Sequence, residues 1–119
     1  MKINFEKLHT YSEAWRAGSD YARRTQEYSE SAVDYDDPLE FQKLSHGEQF
    51  WLLEWISYAF TTRKSINNCH TSYGLKHFYQ KDTANYVNNG AFKGAMIVAG
   101  YLPHNSSVLN PRYRISVVI

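Results

Sequence analysis

The chain has 119 residues, 43% hydrophobic and 16% aromatic, which is enough for one core and too few for several domains. Its one cysteine excludes an internal disulfide and points to a reducing compartment; there is no apolar run of membrane-spanning length, and "MKINFEKLHT" lacks the apolar core of a secretory signal. The net charge of +1 hides a division: residues 1–60 carry six basic and eleven acidic side chains, net −5, and residues 61–119 carry seven and one, net +6.

In chain order, "KINF" alternates and reads as a short strand or an extended arm. From Ser12, a candidate cap, the pattern turns helical through about Ser31, with Ala14, Trp15, Tyr21, Ala22 and Tyr28 as its stripe and Gly18 as its weak point. Asp36, Asp37 and Pro38 end that helix, so "VDYDDPLEF" is expected to be a solvated acidic loop. "SHGEQFWLLEWISYAF" carries the plainest local signal. Ser45 and Glu48 have capping-box spacing, and the residues from Phe50 to Phe60 are apolar on almost every face, as in a helix surrounded by the rest of the fold. Arg63 and Lys64 suit its C-terminal dipole.

"SINNCH" reads as a turn. Thr71 or Ser72 then caps a short helix through Gln80, with Tyr73, Leu75 and Phe78 turned inward. "KDTANYVNN" is a connector with a helical turn at Thr83 to Tyr86. Asn88 caps a last helix whose Phe92, Ala95, Met96 and Ala99 form an i, i+3, i+4, i+7 stripe, while Gly90 and Gly94 narrow one side for close approach. Gly100 takes the position after the helix end, with Tyr101 packing back. "LPHNSSVLNP" is a loop, and "RYRISVVI" alternates as a strand.

The expected fold is mostly α with a small β component: a single domain over 1–119, with an acidic helical part over 1–45. Residues 46–119 follow the element order of a winged helix-turn-helix, closed by a C-terminal strand.

Three residue sets are candidates for function. Acids interleaved with aromatics in the first third resemble a protein-binding face: Tyr11, Trp15, Asp20, Glu27, Asp34, Asp36 and Asp37. A nucleic-acid reading takes Asn88, Asn89 and Lys93 on the reading helix and Lys76, Arg112 and Arg114 on phosphates. Cys69, His70, His77 and His104 have zinc-ligand chemistry, although Cys-His-x6-His matches no established zinc spacing. No cofactor is otherwise expected, and no enzyme reading fills the roles of base, nucleophile and oxyanion stabiliser.

The run "SINNCHTSYGLKHFYQ", then "YVNNGAFKGAMIVAGY" and "NPRYRISVV", resembles small uncharacterised proteins carried by phages and integrative elements of Gram-positive bacteria. The matching features are Asn67, Ser72 to His77, Asn89-Gly90, Phe92, Ala95-Met96 and Ala99-Gly100-Tyr101. The resemblance spans about residues 60–117. Such a protein is similar in kind to anti-CRISPR proteins that bind the RNA-guided nuclease of type II systems. What the resemblance implies is inhibition of a host defence nuclease, by blocking DNA loading or cleavage in the cytoplasm of the bacterial host, with no membrane partner. A winged-helix DNA-binding regulator of a mobile element is the alternative.

Overall fold

A computed structural model describes residues 5–119, so the strand or arm expected in residues 2–5 falls almost wholly outside the described residues. The single N-terminal helix expected from the sequence is three: α1 (Glu6–Arg16), α2 (Ser19–Glu27) and α3 (Glu30–Asp34). Gly18 is extended, at φ −80° and ψ 158°, and ends α1 within two residues of Arg16. A second break at Tyr28 and Ser29 follows, and the Ser29 hydroxyl accepts from the Ala32 N–H to start α3. Ser12 is not a cap. It sits inside α1, buried, and donates its hydroxyl proton to Asp37 Oδ2 at 3.0 Å.

The expected acidic loop is instead a 3-10 helix, Pro38–Lys43, with buried acids at its start. Asp37 caps it, its Oδ1 accepting from the Leu39 N–H at 2.9 Å, and Pro38 occupies the first position, where no N–H is required.

α4 (His46–Ala59) begins with the capping box that its sequence announces. The Ser45 N–H donates to Glu48 Oε1 at 2.9 Å, and the Glu48 N–H donates to Ser45 Oγ at 3.2 Å. Leu52, Leu53, Trp55, Ile56 and Ala59 face inward, where Trp55 meets Phe60 and Tyr79 edge to face at 5.4 and 5.2 Å. Phe50, Trp51 and Tyr58 are exposed, so α4 is not the surrounded helix its composition implies.

That place belongs to α6 (Asn89–Val98), buried at every residue from Asn89 to Ile97. The Asn88 side chain caps it, accepting from the Ala91 N–H at 2.7 Å. The 3-10 helix lies directly on Gly90 and Gly94. A β-carbon at Gly90 would run into the Asp37 carbonyl, and one at Gly94 into the Pro38 carbonyl. The helix closes with a paired-bond C-terminal motif: the Tyr101 N–H donates to Met96 O at 2.8 Å and the Gly100 N–H to Ile97 O at 3.0 Å, with Gly100 at φ +96°.

α5 (Ser72–Thr83) runs three residues past the expected Gln80 and stops at Ala84 in the left-handed region, in place of the expected turn at Thr83 to Tyr86. Leu75, Lys76 and Tyr79 face inward, and Tyr73, expected inside, is exposed. β1 (Phe60–Thr62) follows α4 without a gap and pairs antiparallel with β2 (Ile115–Val117), Phe60 opposite Val117 and Thr62 opposite Ile115.

The fold is mostly α with a small two-stranded sheet. The helix-turn-helix detail is not confirmed: α6 is buried from Asn89 to Ile97, and the strands come from opposite ends of the second half. One apolar cluster runs from Leu8 through Phe41, Trp55, Phe92 and Met96 to Ile115.

Candidate functional site

The acidic N-terminal set is built into the fold. Trp15 is buried, Asp37 is 2% exposed, and Asp36 is buried beside it. Asp37 Oδ2 accepts from Arg16 Nε at 2.7 Å as well as from Ser12. Asp36 Oδ2 accepts from Arg24 at 2.8 Å, and its Oδ1 lies 3.3 Å from the Asn89 amide. Asp34 pairs with Arg16 at 2.9 Å, and Asp20 accepts from the Leu109 N–H at 2.9 Å. Tyr11 is half-buried and packs on the core; of the set Glu27 alone is exposed, and it pairs with Arg23 at 3.3 Å. These residues join α1, α2 and the 3-10 helix to α6 and the 105–110 loop. They do not form the open contact face expected of them.

The reading-helix set is corrected in the same way. Lys93 is 3% exposed; its ammonium donates to Leu109 O at 3.2 Å and lies 4.3 Å from the centroid of the Trp15 ring. Burial pushes its pKa down from 10.5 to about 8, against the pull of Asp36 and Asp37. Asn89 accepts from the Ser72 hydroxyl at 3.1 Å and is buried, and Asn88 donates to Glu40 at 3.3 Å while capping α6. Of the set only Arg112 and Arg114 are exposed; Arg114 donates to Lys64 O at 2.7 Å.

Nor are the zinc candidates grouped as metal ligands. Cys69 is exposed, its N–H donating to Asn67 Oδ1 in a tight turn. His70 packs its ring on Phe78 at 5.1 Å, His77 on Tyr73 at 4.4 Å, and His104 lies in the loop after α6, in a recess with Ile66 and Arg114. Among the described residues no three His, Cys, Asp or Glu side chains are grouped to hold a metal ion.

Two recesses do converge chemistry. The larger, about 810 Å³, is a groove between α4, the end of α5 and the connector to α6. Trp51, 63% exposed, and Tyr86, 77% exposed, stand on it, with Glu48 and Asp82 as its carboxylates and no Lys or Arg in its lining. Asp82 Oδ2 accepts from Trp55 Nε1 at 2.7 Å and from the Tyr58 hydroxyl at 2.9 Å, and these bonds hold the carboxyl below its usual range. The Ser45 backbone and hydroxyl hold Glu48 below its range too. Both acids are therefore ionised and fixed. Phe50, Glu54 and Tyr58 continue the exposed face along α4. The sequence does carry a signal for this. α4 has more large apolar residues than one inward face holds, and the surplus falls among acids with no Lys or Arg.

The second recess, about 310 Å³, lies on the other side of Tyr86, between α2, the 35–37 corner and α5. Its cations are Arg24 and Lys76. Tyr35, Tyr73 and Tyr86, all exposed, are its aromatic lining, and Asp36 is its one acid.

No protein-family model matches the chain, and neither the curated proteins nor the solved structures yield a match. Among the described residues no helix is long and apolar enough to cross a membrane.

Proposed function

We propose that the protein works by stoichiometric recognition, seating a basic surface of a protein partner in the groove between Trp51 and Tyr86. The observation that supports this is the pairing of exposed aromatic rings with two fixed carboxylates in a lining free of cations. Rings supply contact area at low entropic cost, and acids steer toward positive partners. The sequence implies the same chemistry but assigns it to residues 11–37; α4 and the end of α5 carry it instead.

The resemblance of residues 60–117 to phage-borne proteins makes an RNA-guided type II nuclease the first partner to test. Its channel for nucleic acid is positively charged, and an acidic aromatic face fits such a channel. Occupying it would block DNA loading or cleavage. The test is a pull-down on purified nuclease with and without guide RNA, using wild type and the double variant Trp51→Ala/Tyr86→Ala. Capture by wild type and a loss of about 30-fold or more in the variant is expected, as for central contact residues. No complex in either state removes the nuclease as target, and equal capture by the variant moves the contact elsewhere.

The DNA-binding regulator is the second reading. Its support is a ridge at the β1–β2 end, where Arg63 and Lys64 lie beside Arg114. Affinity for duplex DNA that falls steeply across a salt series would favour it; a flat or undetectable response would remove it.

A further inference from the structure

Lys76 is a cation that neither the core nor the proposed groove uses. It projects from the inner face of α5 beside Leu75 and Tyr79 and is 7% exposed. Among the described residues its ammonium has no hydrogen bond and no ion pair. Its ammonium lies over two rings, with centroids 4.9 Å away for Tyr73 and 5.8 Å away for Tyr86, and Asp36 attracts it without a bond. A ring face attracts the charge but leaves the N–H donors unspent.

Arg24 lines the same recess. One of its terminal nitrogens is bonded to Asp36, but its Nε is buried without a partner among the described residues. Asp36, the one carboxylate there, already accepts on both oxygens, from Arg24 and from Asn89. The recess thus holds one net positive charge, unspent donors from two cations and three exposed tyrosines at its edge. Buried donors are normally bonded, so this arrangement calls for an acceptor.

We propose that this cavity binds an organic phosphate joined to a planar base, of the size of one nucleoside monophosphate. The phosphate takes the donors of Lys76 and Arg24, and the base stacks on the edge tyrosines, Tyr86 above all. A space of about 310 Å³ admits one such unit and excludes a duplex. The unit comes either from a free nucleotide or from an unpaired position in a strand.

The experiment is a calorimetric titration of the whole protein with AMP, UMP, adenosine, inorganic phosphate and a short single-stranded oligonucleotide. At least one monophosphate or the oligonucleotide should bind. The nucleoside and inorganic phosphate should each bind about tenfold or more weakly than the joined ligand, from the loss of a charge-assisted bond or of a stack. Lys76→Met should weaken the phosphorylated ligands about tenfold and leave adenosine unchanged. Tyr86→Leu should weaken the base-containing ligands and spare inorganic phosphate. Because Tyr86 is so exposed, that variant keeps the proposal testable if Lys76→Met fails to fold. Binding of the oligonucleotide alone assigns the source to a strand, and binding of AMP or UMP alone assigns it to free nucleotide. No binding of any phosphorylated ligand at millimolar concentration overturns the proposal. So does a set of titrations in which neither a monophosphate nor the oligonucleotide binds more tightly than inorganic phosphate, or a variant that folds and binds every ligand as wild type does.

Discussion

Lys93 places an ammonium between α6 and the face of Trp15, with one carbonyl as its hydrogen-bond acceptor. Asp36, Asp37 and Asp20 attract it and Arg24 repels it, yet desolvation outweighs them and the folded pKa falls to about 8. The unfolded chain still holds this proton up to about pH 10.4. Between those values the unfolded state binds more protons, so stability rises with pH, and it is lost again as pH falls through 8. The gain should reach up to about 3 kcal/mol by denaturant titration between pH 7 and pH 10, and Lys93→Met should remove most of it, leaving the smaller rise from Lys76, whose pKa burial also lowers. Above pH 10 buried Tyr113 acts the other way. Burial raises its pKa, so the unfolded state loses the phenolic proton first and stability falls. Asp37 offers a second test. Asp37→Ala strands the buried Ser12 hydroxyl and uncaps the 3-10 helix, and should cost about 2–3 kcal/mol in the same titration.

At the scale of elements, local chemistry was readable where neighbours in sequence satisfy one another. Ser45 and Glu48 bond each other, Asn88 caps α6, Gly100 ends it, and the Gly90–Gly94 spacing marks the side on which another backbone rests. Ser45→Ala should lower stability by about 1 kcal/mol in thermal unfolding. Gly94→Ala should cost about 1–3 kcal/mol or more, because the added carbon meets the Pro38 carbonyl. Gly74→Ala, in open space on α5, should instead gain up to about 1 kcal/mol. Segment 34–40 was unreadable for the opposite reason. "VDYDDPLEF" is polar and proline-broken, which locally means a solvated loop. Its burial depends on Arg16, Arg24 and Asn89, and no short window contains all three. The same reasoning covers α4, whose apolar count indicated a buried helix while the surplus went to a surface.

For the molecule as a whole, the charge division drew attention to recognition but not to its location. The ion pairs of Arg16 with Asp34 and Asp37, Arg23 with Glu27, Arg24 with Asp36 and Lys43 with Glu40 all lie within the acidic first half, and Asp36 and Asp37 attract Lys93. Much of the apparent polarity is spent on holding the fold together. What remains outside is the groove at Trp51 and the recess at Lys76, which share the ring of Tyr86. The groove was legible only as the surplus of apolar residues on α4, and the recess not at all, because each is assembled from segments far apart in the chain. Tyr86→Ala should therefore weaken both partner capture and phosphate-ligand binding, whereas Trp51→Ala should affect capture alone. Paired titrations of the two folded variants check this.

The seating of residues 36–43 on Gly90 and Gly94 also bears on how the chain is made. The 3-10 helix and its Asp37 cap rest on a helix that leaves the ribosome about fifty residues later, which is several seconds at roughly 5–20 residues per second. Until then Trp15 has Tyr21 beside it but lacks the Lys93 ammonium that lies over its ring. A peptide of residues 1–45 should accordingly show the circular dichroism of a coil.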